Sequence, residues 1–256
     1  KTVRSIAPFG WLIEHGDTAY IVIRGTQTEY DGKLDFMSAK VINPVAGFGY
    51  GKTHNGFTIA YKGLGPAGET RGSDVPGISL GDALANTTKT KIKIGGHSLG
   101  SAVATIITSY AQDLNKFDEI QGYVSASPTV GNKNYADWFN ALQDNNGNLL
   151  GNNFYRLTNK SDIVPMVPGS WLGFIPVAQE VLFDAPYTDD DNSAQIAKNH
   201  QICCCYAYAL RHPNNVFNRS NQDETCKFPV GQPPHYFQIA QHLDNLRLYY
   251  GSFVDI

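Results

Sequence analysis

The 256-residue chain has no long apolar run, no strong excess of charge and few cysteines. No uninterrupted apolar stretch approaches the roughly 18 residues that suggest a membrane-spanning helix. The formal net charge of -3 gives no electrostatic reason to expect a nucleic-acid partner. Residues 1–5 lack the apolar core of a signal peptide, although a secreted protein in mature form would begin in the same way. These absences indicate a globular chain and leave its compartment open.

The cysteines also lack the pattern of a metal site. Three are consecutive, at positions 203–205, and the fourth is Cys226. A zinc site needs ligands at spacings such as C-x-x-C, and adjacent cysteines rarely form a disulfide with each other. We therefore expect a structural role, with a bridge from Cys226 to one member of the triplet as the plausible pairing.

What the chain does have is an alternation of strand-like and helix-like segments. This alternation predicts an α/β fold with a mostly parallel central sheet and helices on both faces. No repeat or linker divides the sequence, so we expect one domain over residues 1–256. The predicted strands include residues 11–13, 18–23, 91–94, 122–125 and 154–157. The predicted helices lie around residues 78–84, 99–114, 135–142 and 194–210, and after Pro233-Pro234 through Tyr250.

The sharpest local signal is Gly96-His97-Ser98-Leu99-Gly100. It has the G-x-S-x-G pattern of a nucleophile elbow, a tight strand-to-helix turn on which a serine hydroxyl projects above the sheet. A glycine-rich turn that merely contains a serine is the alternative. The β-branched strand before the pattern and the strongly periodic helix after it favour the elbow.

Two further polar residues follow predicted strands in the same way as Ser98. Thr26 follows the strand at 18–23, and Asp162 follows the strand at 154–157. Ligands of parallel sheets bind beyond the carboxyl ends of the strands, so the three residues point to one site. Asp162 suits the acid of a Ser-His-Asp triad, although a turn aspartate that caps its own backbone is the structural alternative.

The base of such a triad must follow Asp162 in the chain order of this type of hydrolase. Four histidines qualify: His200, His212, His235 and His242. His200 lies on an apolar helical stripe, where a packed core histidine is the default. His212 precedes a proline at a helix end, where a capping role is simplest. The spacing alone does not choose between the other two.

Five blocks, taken together and in order, resemble the class 3 lipases, the family of the filamentous-fungal triacylglycerol lipases and their bacterial relatives. The similarity runs from about residue 19 to 168 and thins beyond it. The blocks are Arg24-Gly25-Thr26, His54-Asn55-Gly56-Phe57, Gly96-His97-Ser98-Leu99-Gly100, Ser127-Pro128-Thr129-Val130-Gly131-Asn132 and Tyr155-Arg156 with Asp162-Ile163-Val164-Pro165.

The resemblance implies an α/β-hydrolase fold and a role for each site residue, and this chemistry requires no metal or organic cofactor. Ser98 would be the nucleophile and Asp162 the triad acid. Thr26 and Leu99 would supply the N–H groups of the oxyanion hole. The family histidine usually opens a pattern such as His-Leu-x-x-Tyr near the C-terminus, and bacterial members often show Gln-His there. His242 in Gln241-His242-Leu243 is therefore preferred as the base. His235 ranks second and His200 third.

The chain also departs from the family pattern. Ser101 replaces the usual second glycine after the elbow, and a serine is still small enough for close helix packing. The Asp-Trp pair that usually follows the oxyanion residue is absent. Residues 27–52 are irregular and rich in glycine and aromatic residues, which suggests a lid as one hypothesis and a solvent-exposed loop with incidental aromatic residues as the alternative.

The expected function is hydrolysis of acylglycerols or other carboxylic esters through an acyl-enzyme. Feruloyl esterase activity, phospholipase activity and acyl transfer to an alcohol are the enzymatic alternatives. A non-catalytic lipid-binding module is the alternative from another class. The expected partners are a lipid or ester substrate and a transient lipid interface, without nucleic acid. We expect a monomer that is secreted or otherwise extracytoplasmic.

Overall fold

The computed structural model describes residues 5–25, 41–42, 51–66, 78–186, 199–211 and 246–253, and every structural statement below concerns these residues. None of the helices in these ranges is long and apolar enough to cross a membrane. Within the same ranges, no group of His, Cys, Asp or Glu side chains could hold a metal ion.

A seven-stranded, mostly parallel sheet forms the centre of the described structure. Its order is β10-β8-β6-β5-β2-β1-β11. The five strands from β10 to β2 run parallel to their neighbours, whereas β1 is antiparallel to both β2 and β11. The strands are β1 (Ser5–His15), β2 (Thr18–Ile23), β5 (Lys91–His97), β6 (Glu119–Ser125), β8 (Phe154–Asn159), β10 (Gln179–Phe183) and β11 (Leu246–Phe253).

A second sheet is small and antiparallel, with the order β3-β4-β7-β9. Its strands are β3 (Val41–Ile42), β4 (Thr53–His54), β7 (Gly131–Asn132) and β9 (Phe174–Ile175). The α-helices of the described ranges are α1 (Asn55–Gly63), α2 (Leu80–Asn86), α3 (Leu99–Asp113), α4 (Lys133–Ala141), α5 (Leu150–Asn153) and α6 (Ala207–Arg211). A π-helix, Ile202–Tyr206, leads directly into α6.

The main core lies between the sheet and the helices that pack on it. Ile92 and Ile94 of β5 are buried, whereas the alternating residues Lys91 and Lys93 are only partly buried, as the two-residue period of a strand requires. Thirteen of the fifteen residues of α3, from Leu99 to Ala111, are buried. A helix that is buried on all sides is typical of a domain centre, and α3 is the helix that begins directly after Ser98.

The structure corrects two of the helix predictions. Residues 246–250 were expected to end a final helix, but Leu246–Phe253 is a strand paired with β1. The helix predicted over 194–210 is not continuous where it is described, because Gln201 separates the helical residues 199–200 from the π-helix. By contrast, the predicted strands at 18–23, 91–94 and 154–157 are confirmed.

Candidate active site

Ser98 occupies the turn between β5 and α3 with a backbone that L-residues rarely adopt. Its φ is 58° and its ψ is -129°. Gly96 and Gly100 make the turn possible, because a Cβ on Gly96 would lie 2.4 Å from the Gly100 carbonyl oxygen. A Cβ on Gly100 would lie 2.4 Å from the carbonyl oxygens of both Ile23 and Arg24. The predicted elbow is therefore present, and its strain is held by close backbone contacts on both sides.

Buried serines attach the elbow to the neighbouring strand β6. The Ser98 N–H donates to the Ser125 carbonyl oxygen over 3.1 Å. The hydroxyl of Ser101, which stands where a second glycine was expected, lies 2.9 Å from the Gly96 oxygen and 2.7 Å from the Ser125 oxygen. The substitution thus retains a small side chain and adds a hydrogen bond across the turn.

The hydroxyl of Ser98 lies at one end of a hydrogen-bonded chain of three side chains. Its Oγ is 2.7 Å from Nε2 of His200. Nδ1 of the same ring is 2.9 Å from Oδ2 of Asp162. When Nδ1–H donates to the carboxylate, Nε2 is left to accept the serine proton, which is the tautomer that a general base needs. The side chain of Asp162 has no solvent exposure and that of His200 is 24% exposed.

In the described part of the chain the imidazole at this place is that of His200, whereas His242 was preferred from the sequence. His242 and His235 lie outside the described residues, and the contact between Ser98 and Asp162 is made by the candidate ranked third. The apolar stripe around His200 had suggested a packed core histidine. The stripe is interrupted because the chain leaves the helix at Gln201, which lets the preceding imidazole face the elbow.

Asp162 is held by donors from three sides. Besides His200, the Tyr206 hydroxyl donates to its Oδ2 over 2.7 Å, and the Val164 N–H donates to its Oδ1 over 3.0 Å. The backbone contact is the turn cap that was the structural alternative for this residue, so the carboxylate combines both roles. Tyr206 itself accepts a bond from the Asn159 N–H at the end of β8.

Tyr206 remains protonated, as a donor to a carboxylate must. Burial is the largest cause that raises the pKa of its phenol, and the negative charge of Asp162 adds to it. Only 1% of the residue is exposed. The phenol therefore donates to Asp162 throughout the physiological pH range.

The ring of His97 packs against the rings of His200 and Tyr206. Its ring centroid is 5.0 Å from that of His200 and 5.5 Å from that of Tyr206. Nδ1 of His97 lies 2.9 Å from the Ser125 hydroxyl. Burial, and secondly the neighbouring His200, lower the pKa of His97 to about 4, so His97 is neutral at physiological pH. Because His97 carries no charge, it does not repel the positive charge that forms on His200 during proton transfer.

Of the two residues expected to form an oxyanion hole, only Leu99 lies in the described part of the chain. Leu99 is the first residue of α3, and the first N–H groups of a helix have no acceptor within it. Thr26 lies outside the described residues. Gly25 directly before it runs against the elbow, because a Cβ there would be 3.5 Å from Cβ of Ser98.

Tyr206 and His97 are the site residues that the sequence did not single out. His97 was visible only as the variable position of the elbow pattern. Tyr206 stood downstream of His200 without any spacing that pointed to Asp162. Cys205 is buried beside Tyr206, but Cys226 lies outside the described residues, so the disulfide stays a prediction.

Comparison with known protein families identifies the same family as the sequence motifs. The family model described as Lipase (class 3) matches residues 20–171. The chain is 34% identical over 109 residues to a secreted mono- and diacylglycerol lipase A of Penicillium cyclopium, which covers 42% of this chain and 32% of that protein. It is 28% identical over 202 residues to a lipase of Rhizomucor miehei, covering 75% and 47%. The chain thus spans less than half the length of these curated relatives.

Solved structures show the same fold. A Rhizopus microsporus lipase superposes with a TM-score of 0.52 at 21% identity, covering 73% of this chain and 63% of that one. A Yarrowia lipolytica lipase gives a TM-score of 0.50 at 26% identity, covering 68% and 61%. The mostly parallel sheet is therefore that of an α/β-hydrolase. Since the family model matches more than half of the sequence, the chain belongs to the class 3 lipase family.

Proposed function

We propose that this chain is a serine hydrolase of carboxylic esters, with Ser98 as nucleophile, His200 as general base and Asp162 as the orienting acid. The observation that carries the proposal is the unbroken path from the Ser98 hydroxyl through both nitrogens of His200 to Asp162. A module that only binds lipid would need neither the strained elbow nor this path. The structure therefore favours the enzymatic interpretation over the non-catalytic one.

The geometry supports acylation of Ser98 in the first half of the reaction. His200 Nε2 takes the hydroxyl proton while Oγ attacks the ester carbonyl carbon. Asp162 stabilises the imidazolium that forms, through its bond to Nδ1. The C–O bond to the alcohol then breaks, and the leaving alcohol takes the proton from Nε2. Ser98 is left as an acyl ester.

Deacylation uses the same groups in reverse. His200 takes a proton from water, the hydroxide attacks the acyl carbon, and Ser98 leaves with the proton. Both steps pass through an oxyanion, for which we assign the Leu99 N–H and the backbone N–H of Thr26. One such donor contributes about 10²–10³ in rate. No metal or organic cofactor takes part in this chemistry.

We propose acylglycerols as the substrate class, because the relatives in Penicillium and Rhizomucor are lipases. A phospholipase activity is the second candidate, since 104 residues are 35% identical to a phospholipase A1 of rice, Oryza sativa. Feruloyl ester hydrolysis and acyl transfer to an alcohol are the further alternatives on the same fold. We also propose an exported monomer of one domain, in line with the secreted Penicillium relative.

The roles can be tested with a soluble ester such as p-nitrophenyl butyrate. We expect Ser98→Ala and His200→Ala each to lower kcat by about 10⁴-fold or more, because either change breaks the proton path. His242→Ala is the matched control and should leave kcat within about twofold, as a substitution that removes no triad group. Circular dichroism of each variant would establish that the fold is retained.

The three variants separate the possible outcomes. Full turnover by folded Ser98→Ala would overturn the hydrolase proposal itself. Loss of activity in His242→Ala with retention in His200→Ala would assign the base to the C-terminal histidine instead. A panel of triolein, phosphatidylcholine and methyl ferulate then ranks the substrate classes by kcat/KM.

A further inference from the structure

Exposed apolar side chains are concentrated in one short segment of the described chain. Five of the twelve exposed large hydrophobic residues in the described ranges lie at positions 163–172, here called the 163–172 segment. They are Ile163, Met166, Val167, Trp171 and Leu172. Trp171 is the most exposed of the twelve, at 83%. Such a concentration marks a surface that meets another apolar surface.

The segment also lacks charge. Residues 163–179 contain no Asp, Glu, Lys, Arg or His. A rim of ion pairs, which gives protein partners their specificity and register, cannot be formed from these residues. Attraction to anionic lipid headgroups would need lysine or arginine, which are also absent. The charge pattern therefore complements a neutral lipid surface.

The segment begins at the candidate triad and is fixed to the body of the protein. Ile163 follows Asp162 directly, and the Val164 N–H donates to Oδ1 of that carboxylate. Further along, the Thr129 N–H donates to the Val167 carbonyl oxygen over 3.1 Å. The exposed side chains consequently stand on anchored backbone, in a segment that starts directly after the carboxylate bound to His200.

Trp171 has the position of an interfacial anchor. The absence of a side chain at Gly169 leaves space for its indole, since a Cβ there would lie 2.4 Å from Nε1. The indole is thus packed against backbone at one edge and open to solvent elsewhere. Tryptophan favours the boundary between water and lipid because its ring is apolar and its N–H is polar.

We propose that the 163–172 segment docks the protein on a neutral lipid surface, with Trp171 as the principal anchor. This inference rests on the proposed function, because it places the surface of the substrate aggregate next to the triad. The 163–172 segment is distinct in sequence from the predicted lid at 27–52, of which only residues 41–42 and 51–52 are described. Ile202 is 48% exposed and lies two residues after His200 in the sequence, so the chain that carries the imidazole also has an exposed apolar side chain.

Binding to vesicles of dioleoylphosphatidylcholine tests the proposal directly. In a Ser98→Ala background, which prevents turnover, we expect Trp171→Asp to lower the vesicle partition coefficient at least about tenfold. Leu149→Asp is the matched control, because Leu149 is also exposed but lies before β8, at the opposite end of that strand from Asp162. It should bind as the parent does. Tryptophan emission should shift to the blue on binding and should not shift in Trp171→Phe.

Other results would overturn the inference. Equal loss in Leu149→Asp, or no loss in Trp171→Asp, would exclude this segment as the docking surface. Binding that needs phosphatidylglycerol and disappears in 0.5 M salt would indicate charge attraction instead. A dimer that Trp171→Asp converts to a monomer would assign the segment to a second copy of the chain. Trp171→Asp with Ser98 intact should still hydrolyse soluble p-nitrophenyl butyrate at the parent rate, which separates failure of docking from failure of the chemistry.

Discussion

At the scale of single residues, the candidate site depends on one carboxylate oxygen that accepts two hydrogen bonds. Oδ2 of Asp162 receives Nδ1–H of His200 and the hydroxyl of Tyr206. The phenol also links Asp162 to the Asn159 N–H at the end of β8. Tyr206 does not reach Ser98 and is therefore a positioning residue, which acts by fixing the carboxylate that orients the imidazole.

Removing this hydroxyl should affect the chemical step rather than binding. We expect Tyr206→Phe to lower kcat on a soluble ester by about tenfold, since a hydrogen bond to a charged group is worth about 1.5–3 kcal/mol and part of it is replaced by relaxation. KM should stay unchanged. Tyr135→Phe removes the hydroxyl of another buried tyrosine, 3.4 Å from the Ser109 hydroxyl, and should leave kcat as it is. Equal kcat values for the two variants would contradict a positioning role for Tyr206.

Local sequence was enough to predict which residues form part of the candidate site. Ser98 was predicted because its glycines fix the turn locally, and Asp162 because it follows a strand. His200 was ranked below His242 because it lies on an apolar helical stripe and because Gln241-His242-Leu243 fits the family pattern better. The contact between His200 and Ser98 joins residues 102 positions apart, and no local spacing encodes it. Tyr206 was missed for the same reason.

At the scale of elements, the elbow depends on how closely α3 approaches β5 and β2. Gly95 and Gly96 are adjacent in β5, but their surroundings differ. A Cβ on Gly95 would lie 3.2 Å from the Tyr123 carbonyl oxygen, a contact that a small shift relieves. A Cβ on Gly96 would lie 2.4 Å and 2.5 Å from the Gly100 oxygen and carbon, within the first turn of α3. Of these two glycines, only Gly96 contacts the backbone of the turn that carries Ser98.

The two glycines therefore provide a matched pair of substitutions. We expect Gly96→Ala to lower the free energy of unfolding by about 2 kcal/mol or more and to abolish most esterase activity, because α3 must move away from β5. Gly95→Ala should cost less than about 1 kcal/mol and retain activity. Urea denaturation and p-nitrophenyl butyrate turnover measure both effects. If Gly96→Ala were as stable and active as Gly95→Ala, the close approach would not be required.

Element type was predictable where periodicity and flanking residues agreed. The strand of residues 18–23 and the helix after Ser98 satisfy both conditions and are confirmed. The helix prediction for the final segment was wrong. Leu246 and Tyr250 are four residues apart, and this spacing fits a helical stripe as well as one face of a strand. Its composition of Leu, Tyr and Phe also fits a strand, and the segment is a strand because it pairs with β1.

At the scale of the whole molecule, the parallel strands bring the site together. β5 and β8 are separated only by β6 and run in the same direction, so Ser98 and Asp162 leave the same edge of the sheet. The alternation of strands and helices predicted this arrangement from sequence. It did not predict the antiparallel extension by β11, whose partner β1 lies more than 230 positions earlier in the chain.

This extension by β11 gives a prediction about the stability of the sheet. β11 pairs with β1 from Ser5↔Phe253 to Ile13↔Leu246, so a chain that ends after residue 245 would expose the backbone donors and acceptors of β1. Exposed edge strands promote association between chains. We expect this truncation to lower the melting temperature and to increase light scattering on heating, whereas a chain that ends after residue 253 keeps the whole pairing and should match the full chain. If both truncated chains melted alike, β11 would contribute nothing to the sheet.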